Sequence, residues 1–292
     1  MNTTVVIPVY NQATFLAEAV ESALGQTTPP GEVVVVDDGS TDATPAVLGT
    51  FGPRIRVIRQ ANAGVASARN RGAREARGDV LAFLDADDAW LPRKLERQLA
   101  RFDGRDLGLV HCGVEDVSDD GHPVRVRLNG LEGQVADRLL AFEEPVILGG
   151  GSAAVIPRGV FEAVGGFDER LSTSADWDLY YRIARRWEVG FVPEVLVRYR
   201  VHPEGMHHNV AAMEHDMLAA YARAFGERGS TPAAFRRRCY ANLHAVLAGS
   251  FFARGAYGRS LRHGLRSVAL RPRHALRAVG YPMRALRRKL GA

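Results

Sequence analysis

The chain has 292 residues, 46% of them hydrophobic and 24% charged, which suits one large α/β domain plus an appendage and excludes a globally disordered chain. No run of about 18 uncharged apolar residues occurs, against a membrane-spanning helix, and the two cysteines, Cys112 and Cys239, exclude a disulfide framework and read as reduced thiols of a cytoplasmic protein. The net charge of +5 joins two opposite regions: residues 1–227 hold 23 Lys/Arg against all 33 Asp/Glu, a balance of −10, whereas 228–292 hold 15 Lys/Arg and no acid, which predicts different partners for the two.

The first hundred residues alternate strand and helix signals. Met1–Val9 is apolar without a basic start or a cleavage site, so it reads as a first strand and not as a signal peptide. Phe15, Leu16, Ala19, Val20, Ala23 and Leu24 then recur at helical spacing. Glu32–Val36 is a second strand that stops at Asp37, and Ser40 or Thr41 is placed to cap a short helix ending near Gly49. Ile55–Ile58 reads as a third strand, Gly64–Arg77 as an Ala- and Arg-rich helix, and Asp79–Leu84 as a fourth strand running into Asp85-Ala86-Asp87-Asp88. Pro92 starts a helix with Leu95, Leu99 and Phe102 on one face, and Leu107–His111 is a fifth strand. The stretch 113–203 is mixed: a Gly149–Gly151 loop, an apolar run Ala153–Ile156, a helix Trp177–Trp187 and a strand Val195–Val201. From 209 onward the pattern is helical, and Arg273–Leu290 sets Leu276, Val279, Met283, Leu286 and Leu290 on one side among arginines.

Strands separated by helices predict parallel pairing, and an open parallel sheet binds ligands beyond the carboxyl ends of its strands. Asp37/Asp38 and Asp85/Asp87/Asp88 both fall at such ends. Three carboxylates within four residues repel one another and need water or a cation; hard oxygen ligands suit Mg²⁺ or Mn²⁺, although a solvated acidic turn has the same composition. Asp37–Asp42 reads either as a hydrogen-bond acceptor for a nucleoside or as a turn with Gly39 at positive φ. Neither a dinucleotide-binding glycine fingerprint nor a P-loop is present, which leaves a metal between carboxylates and phosphates as the way to neutralise a diphosphate.

Seven segments in order resemble glycosyltransferase family 2, over roughly residues 3–205. They are Val5–Asn11, Val33–Asp42, Asn62–Gly72, Phe83–Asp88, Gly165–Glu169, Asp176–Leu179 and Tyr199–Pro203. The resemblance implies a GT-A fold, Rossmann-like with a mostly parallel sheet flanked by helices, over 1–205, followed by a basic helical extension over 206–292. It implies that Pro8, Tyr10 and Asp38 line a nucleobase pocket, with Arg69 a neighbour. Asp85 and Asp87 match the family's D-x-D motif for ribose and metal–diphosphate, with Asp87 and His202 as metal ligands. Asp176 matches the catalytic base, although Ala175 stands where the family commonly has Glu.

An acceptor hydroxyl needs a base as it attacks, and one displacement with one base predicts inversion. Asp176 is that base, or else only the N-cap of the helix that follows. Trp177, Tyr180 and Tyr181 are either acceptor-stacking rings or core. The expected partners are a nucleotide-diphosphate sugar and a glycan or lipid-linked acceptor of a cell-surface pathway, with no nucleic acid. The basic tail either packs as helices with a solvated arginine face or meets an anionic membrane surface from the cytoplasmic side. The alternatives are a sugar-nucleotide nucleotidyltransferase, which lacks its glycine-rich phosphate loop here, and a non-catalytic glycan- or membrane-binding protein.

Overall fold

The structure, a computed structural model, describes residues 1–201, 209–229 and 231–275. The chain divides into two compact units, residues 1–136 with 145–205, and residues 137–144 with 206–292. In chain order the elements before residue 202 are β1 (Thr3–Val9), α1 (Ala13–Leu24), β2 (Glu32–Asp37), α2 (Thr44–Gly49), β3 (Arg56–Arg59), α3 (Val65–Glu75), β4 (Val80–Phe83), β5 (Ala89–Trp90), α4 (Lys94–Leu99), β6 (Leu107–Val117), β7 (Pro123–Arg127), α5 (Ala136–Ala141), β8 (Val155–Pro157), α6 (Arg158–Ala163), α7 (Ala175–Ala184) and β9 (Glu188–Arg200). From residue 209 onward come α8 (Val210–Glu227), α9 (Ala233–Ala253) and α10 (Tyr257–Leu270).

Among the described residues nine strands form one sheet of order β3-β2-β1-β4-β8-β6-β9-β5, with β7 on β6. The strands β3, β2, β1 and β4 are parallel, as are β6 and β9; β8 runs antiparallel to both neighbours. Every residue of β1 is buried, the condition of a parallel strand covered on both faces. On α1, Leu16, Ala19, Val20 and Ala23 are buried at i, i+3, i+4 and i+7, and they join the core formed with Val5, Ile7, Val33 and Val35. The chain leaves β1 toward β2 and β3, then returns to place β4 on the other side of β1. That reversal of strand order opens the crevice in which an open α/β sheet binds ligands.

Several expected boundaries move. The fifth strand, expected over Leu107–His111, continues to Val117, and the strand expected from Val195 starts at Glu188. The helix expected from Pro92 is α helix only over Lys94–Leu99, and Ala100–Phe102 tightens into a 3₁₀ turn. No Ser40 or Thr41 side chain caps α2; Asp42 does the nearby work, its Oδ1 accepting from Thr44 N at 2.9 Å. Gly39 has φ +81°, as the turn reading requires. Cys112 and Cys239 are both free and buried.

The described residues of the second unit are helical. Tyr221 of α8 donates its hydroxyl to Leu140 O at 2.7 Å, and Asn242 of α9 donates to Ala141 O at 2.7 Å, which ties residues 137–144 into this unit. The amphipathic stretch expected over 273–290 lies outside the described residues beyond Ala275.

Candidate active site

The site collects at the carboxyl ends of β1, β2 and β4. Pro8 is buried in β1, in register with Val36, and Tyr10 just beyond it is half exposed. Asn11 follows at φ +51°; its Oδ1 accepts from Thr41 N at 2.8 Å and its own N–H donates to Ser40 Oγ at 3.0 Å, which staples the ends of β1 and β2 together. Asp38 is buried, and its carboxylate accepts from Gln60 Nε2, Ala63 N and Gly64 N at 2.8–2.9 Å. Three donors leave that carboxylate room for about one more.

Leu84 N donates to Val6 O at 3.0 Å, and the chain then turns, Asp88 N donating to Asp85 O. Asp85 Oδ1 accepts from Arg69 Nη2 at 2.5 Å, and Arg69, buried on α3, lies with its guanidinium 5.2 Å from the centre of the Phe167 ring. Arg69 Nε is buried and has no hydrogen-bond partner among the described residues. Asp88 is held on both oxygens: Ser152 Oγ donates to Oδ2 at 2.5 Å and Arg200 N to Oδ1 at 2.9 Å. Burial, together with the charges of Asp87 and Asp85, pushes the Asp88 carboxyl well above the ordinary range. Ser152 Oγ also accepts from Asp85 N at 3.0 Å. Arg200 donates from Nε to Asp87 O at 2.9 Å, reaches Glu18 at 2.6 Å, and lies 4.6 Å from the Phe15 ring centre. The end of β9 is thereby fastened to the Asp87-Asp88 turn.

The loop expected at Gly149–Gly151 is a 3₁₀ turn, Gly150–Ala153, entered through Gly149 in the left-handed region. Its glycines serve close approach. A Cβ on Gly151 would lie 2.7 Å from Arg69 Nη2, and one on Gly150 would lie 3.2 Å from Asp176 Oδ2. Gly150 O accepts from the buried Tyr180 hydroxyl at 2.7 Å. Asp176 is half-buried in the first turn of α7, one residue inside its start; Ser174 is the N-cap residue and makes no side-chain cap. Asp176 Oδ1 accepts from Trp177 N at 2.7 Å. Burial raises the Asp176 carboxyl, Arg69 and the Trp177 N–H oppose the rise, and Asp85 adds to it. Burial and the nearby carboxylates also raise the Tyr199 hydroxyl, and the same Cβ on Gly150 would lie 3.8 Å from the Tyr199 ring.

Asp85, Arg69, Gly150, Tyr199 and Asp176 therefore come together, with Asp38, Pro8 and Tyr10 at the neighbouring strand ends. His202 lies outside the described residues. Among the described residues no three His, Cys, Asp or Glu side chains are arranged to hold an ion alone. The donor chemistry nevertheless fits Mg²⁺ or Mn²⁺, which commonly take one or two carboxylates and complete their shell with substrate phosphates; Asp85 and Asp87 offer such carboxylates beyond the end of β4. Ser152, Arg200, Gln60 and Asn11 are the residues that composition did not single out. Trp177 and Tyr181 stack on each other with centroids 5.7 Å apart, and Tyr180 and Tyr181 are buried.

The sheet order and the helices that flank it make this a GT-A fold of the glycosyltransferase class. The profile of "Glycosyl transferase family 2" matches residues 4–165, and the chain belongs to that family. An uncharacterized glycosyltransferase of Rickettsia typhi is 34% identical over 202 residues, 68% of this chain and 63% of that protein. The chain thus spans under two thirds of the length of that relative. The succinoglycan biosynthesis protein ExoO of Rhizobium meliloti is 42% identical over 125 residues, 42% of this chain and 36% of its own. A mannosyltransferase from Pyrobaculum calidifontis, solved with GDP-Man and Mn²⁺, shares the fold with a TM-score of 0.62 at 23% identity, covering 97% of this chain and 80% of that one.

Proposed function

We propose that this chain transfers a sugar from a nucleotide-diphosphate donor to an acceptor hydroxyl with inversion at the anomeric carbon, in the synthesis of a cell-surface polysaccharide or glycolipid. The observation that carries the reading is the Asp176 carboxylate, half-buried against Gly150 and beside the Arg69–Asp85 pair. A raised carboxyl is a better base than an exposed one. In a single displacement the acceptor oxygen bonds to the anomeric carbon as the bond from that carbon to the diphosphate oxygen breaks. The acceptor proton passes to an Asp176 oxygen, and the electron pair of the breaking bond leaves with the nucleoside diphosphate. Asp176 must be ionised to act, so kcat/KM falls as pH drops through its raised pKa.

Pro8, Tyr10 and Asp38 bind the nucleobase end of the donor, and the remaining acceptor capacity of Asp38 supports that role. Arg69 holds Asp85 in place. Asp85 and Asp87, with His202, would hold Mg²⁺ or Mn²⁺ against the diphosphate. Bound there, the ion supplies the positive charge that makes the diphosphate a good leaving group. The mannosyltransferase bound to GDP-Man and Mn²⁺ and the succinoglycan protein support the donor class and the pathway class. The basic region 206–292 meets an anionic membrane on its cytoplasmic side, where a lipid-linked acceptor would be presented; among the described residues no helix is long and apolar enough to cross a membrane.

The test is Asp176→Asn. It should lower transfer about 10²- to 10⁴-fold while donor binding, read by thermal shift, is retained. A variant with full activity would remove Asp176 from the reaction.

A further inference from the structure

Helix α10 is built inside out. The side that packs within its own unit is polar. His263 is fully buried, its Nδ1 2.9 Å from His244 Nδ1 on α9 and its Nε2 3.1 Å from Glu214 Oε1 on α8. One turn on, Ser267 Oγ donates to Ala241 O, and Ser260 Oγ donates to Ala248 O, each at 2.8 Å. The opposite side is apolar and faces outward: Tyr257, Leu261 and Leu265, at i, i+4 and i+8, are 64%, 65% and 62% exposed. At 100° per residue these three lie within about 80° of arc, and His263 and Ser267 lie roughly opposite. Arg262 and Arg266 follow on one flank, roughly 60° and 100° beyond Leu265, Arg262 with its Nη2 3.6 Å from Glu214 Oε1; Arg259 lies farther round, its guanidinium 5.4 Å from the centre of the Phe251 ring.

An ordinary surface helix buries its leucines and exposes its serines. Here hydrogen bonds from His263, Ser260 and Ser267 lock the rotation that keeps the leucines outside. A large exposed apolar stripe beside cations calls for a covering surface that is apolar within and anionic at its boundary. Two other covers are disfavoured by charge. A second copy of α10 would set arginines against arginines. Residues 276–292 bring an apolar row, Leu276, Val279, Met283, Leu286 and Leu290, but also Arg277, Arg284, Arg287, Arg288 and Lys289 and no acid, so packing that row on α10 would set these cations against its arginines.

We infer that the Tyr257/Leu261/Leu265 face of α10 is a docking surface for an anionic lipid bilayer, its side chains entering the headgroup boundary and Arg262 and Arg266 lying against lipid phosphates. It rests on the reading of 206–292 as the membrane-facing region and names the face that makes the contact. Each cation near an anionic surface and each buried methylene adds to binding, so the contact weakens with salt and with loss of either leucine.

The test is sedimentation of the full chain with vesicles of phosphatidylcholine alone and of phosphatidylcholine with phosphatidylglycerol. The protein should bind the second kind, less at high salt. Leu261→Ser/Leu265→Ser should weaken binding about tenfold or more, and Arg262→Gln/Arg266→Gln should lower it and flatten its salt dependence. As a second readout, Leu261→Cys carrying an environment-sensitive dye should shift its emission to the blue on anionic vesicles, the native cysteines being buried. Wild-type protein that stays in the supernatant, unchanged binding by the leucine variant, dye emission that does not move, or a dimer formed through this face without vesicle binding would each overturn the inference. Asp176→Asn should sediment like wild type, so failure of membrane docking and failure of the proposed chemistry are read separately.

Discussion

Ser152 makes two bonds with one hydroxyl: it donates to Asp88 Oδ2 and accepts from Asp85 N, and its carbonyl accepts from Trp90 Nε1 at 2.9 Å. The Trp90 ring in turn lies 3.9 Å from Lys94 Nζ. Lys94 is fully buried, and its Nζ has no hydrogen-bond partner among the described residues. Burial lowers its pKa to about 8, and the Cys112 thiol opposes the shift slightly. Below pH 8 this lysine is charged in both states and its burial costs stability; between 8 and 10.5 only the unfolded chain keeps the proton, so stability rises with pH. Lys94→Met should therefore stabilise the protein by about 1–3 kcal/mol at pH 7, the cation–π contact offsetting part of the gain, with the advantage shrinking above pH 8. Urea unfolding at pH 7 and pH 9.5 measures it, and a destabilised variant at pH 7 would mean that the contact with Trp90 outweighs the desolvation.

Strand β6 shows how an element escapes local reading. Leu107, Leu109 and Val110 are plainly apolar, but Glu115 and Asp116 are not what a buried strand displays. The strand continues because Asp116 is paired with Arg125 and Arg127 of β7, and because β9 pairs with β6 from Leu107 to Val117. Inside β6, His111 is fully buried and stacks on Phe191 with centroids 4.7 Å apart. Its Nε2 meets Leu131 O at 2.9 Å and its Nδ1 meets Leu148 N at 3.4 Å, which selects the neutral ring with the proton on Nε2. Burial lowers its pKa to about 4. Between 4 and 6.5 the unfolded chain binds the extra proton, so on the order of 3 kcal/mol of stability present above pH 6.5 is lost as pH falls toward 4. The raised carboxyls of Asp88 and Asp176 act in the opposite direction. His111→Phe isolates the histidine: its stability should fall less steeply between pH 6.5 and 4 than that of the wild type, although it starts lower because Leu131 O and Leu148 N lose their partner.

For the whole molecule, the proposed donor provides the broadest test. A ligand that binds only the folded state at 100 times its Kd adds about 2.7 kcal/mol, roughly 5–10 °C in midpoint for a domain of this size. A nucleoside diphosphate with Mn²⁺ should produce such a shift, and a chelator should diminish it; an equal shift in the presence of chelator would take the metal out of the reading. The parallel core β3-β2-β1-β4 and its acidic ends were legible beforehand, because strand type, helix spacing and the point where an apolar run meets aspartate are properties of neighbouring residues. The family, too, was legible in seven short segments, and the profile match over residues 4–165 bears that out. Tertiary structure alone decided the rest. Ser152 meets Asp85 and Asp88 across 67 and 64 positions, Arg200 meets Asp88 across 112, and Gly150 faces Asp176. Such contacts leave no periodicity in the chain, because a hydrogen bond between distant segments constrains only its two ends. Which side of α10 turns inward is of the same kind: its two faces can be read from residue spacing, but the choice between them belongs to His244, Glu214 and the carbonyls of α9.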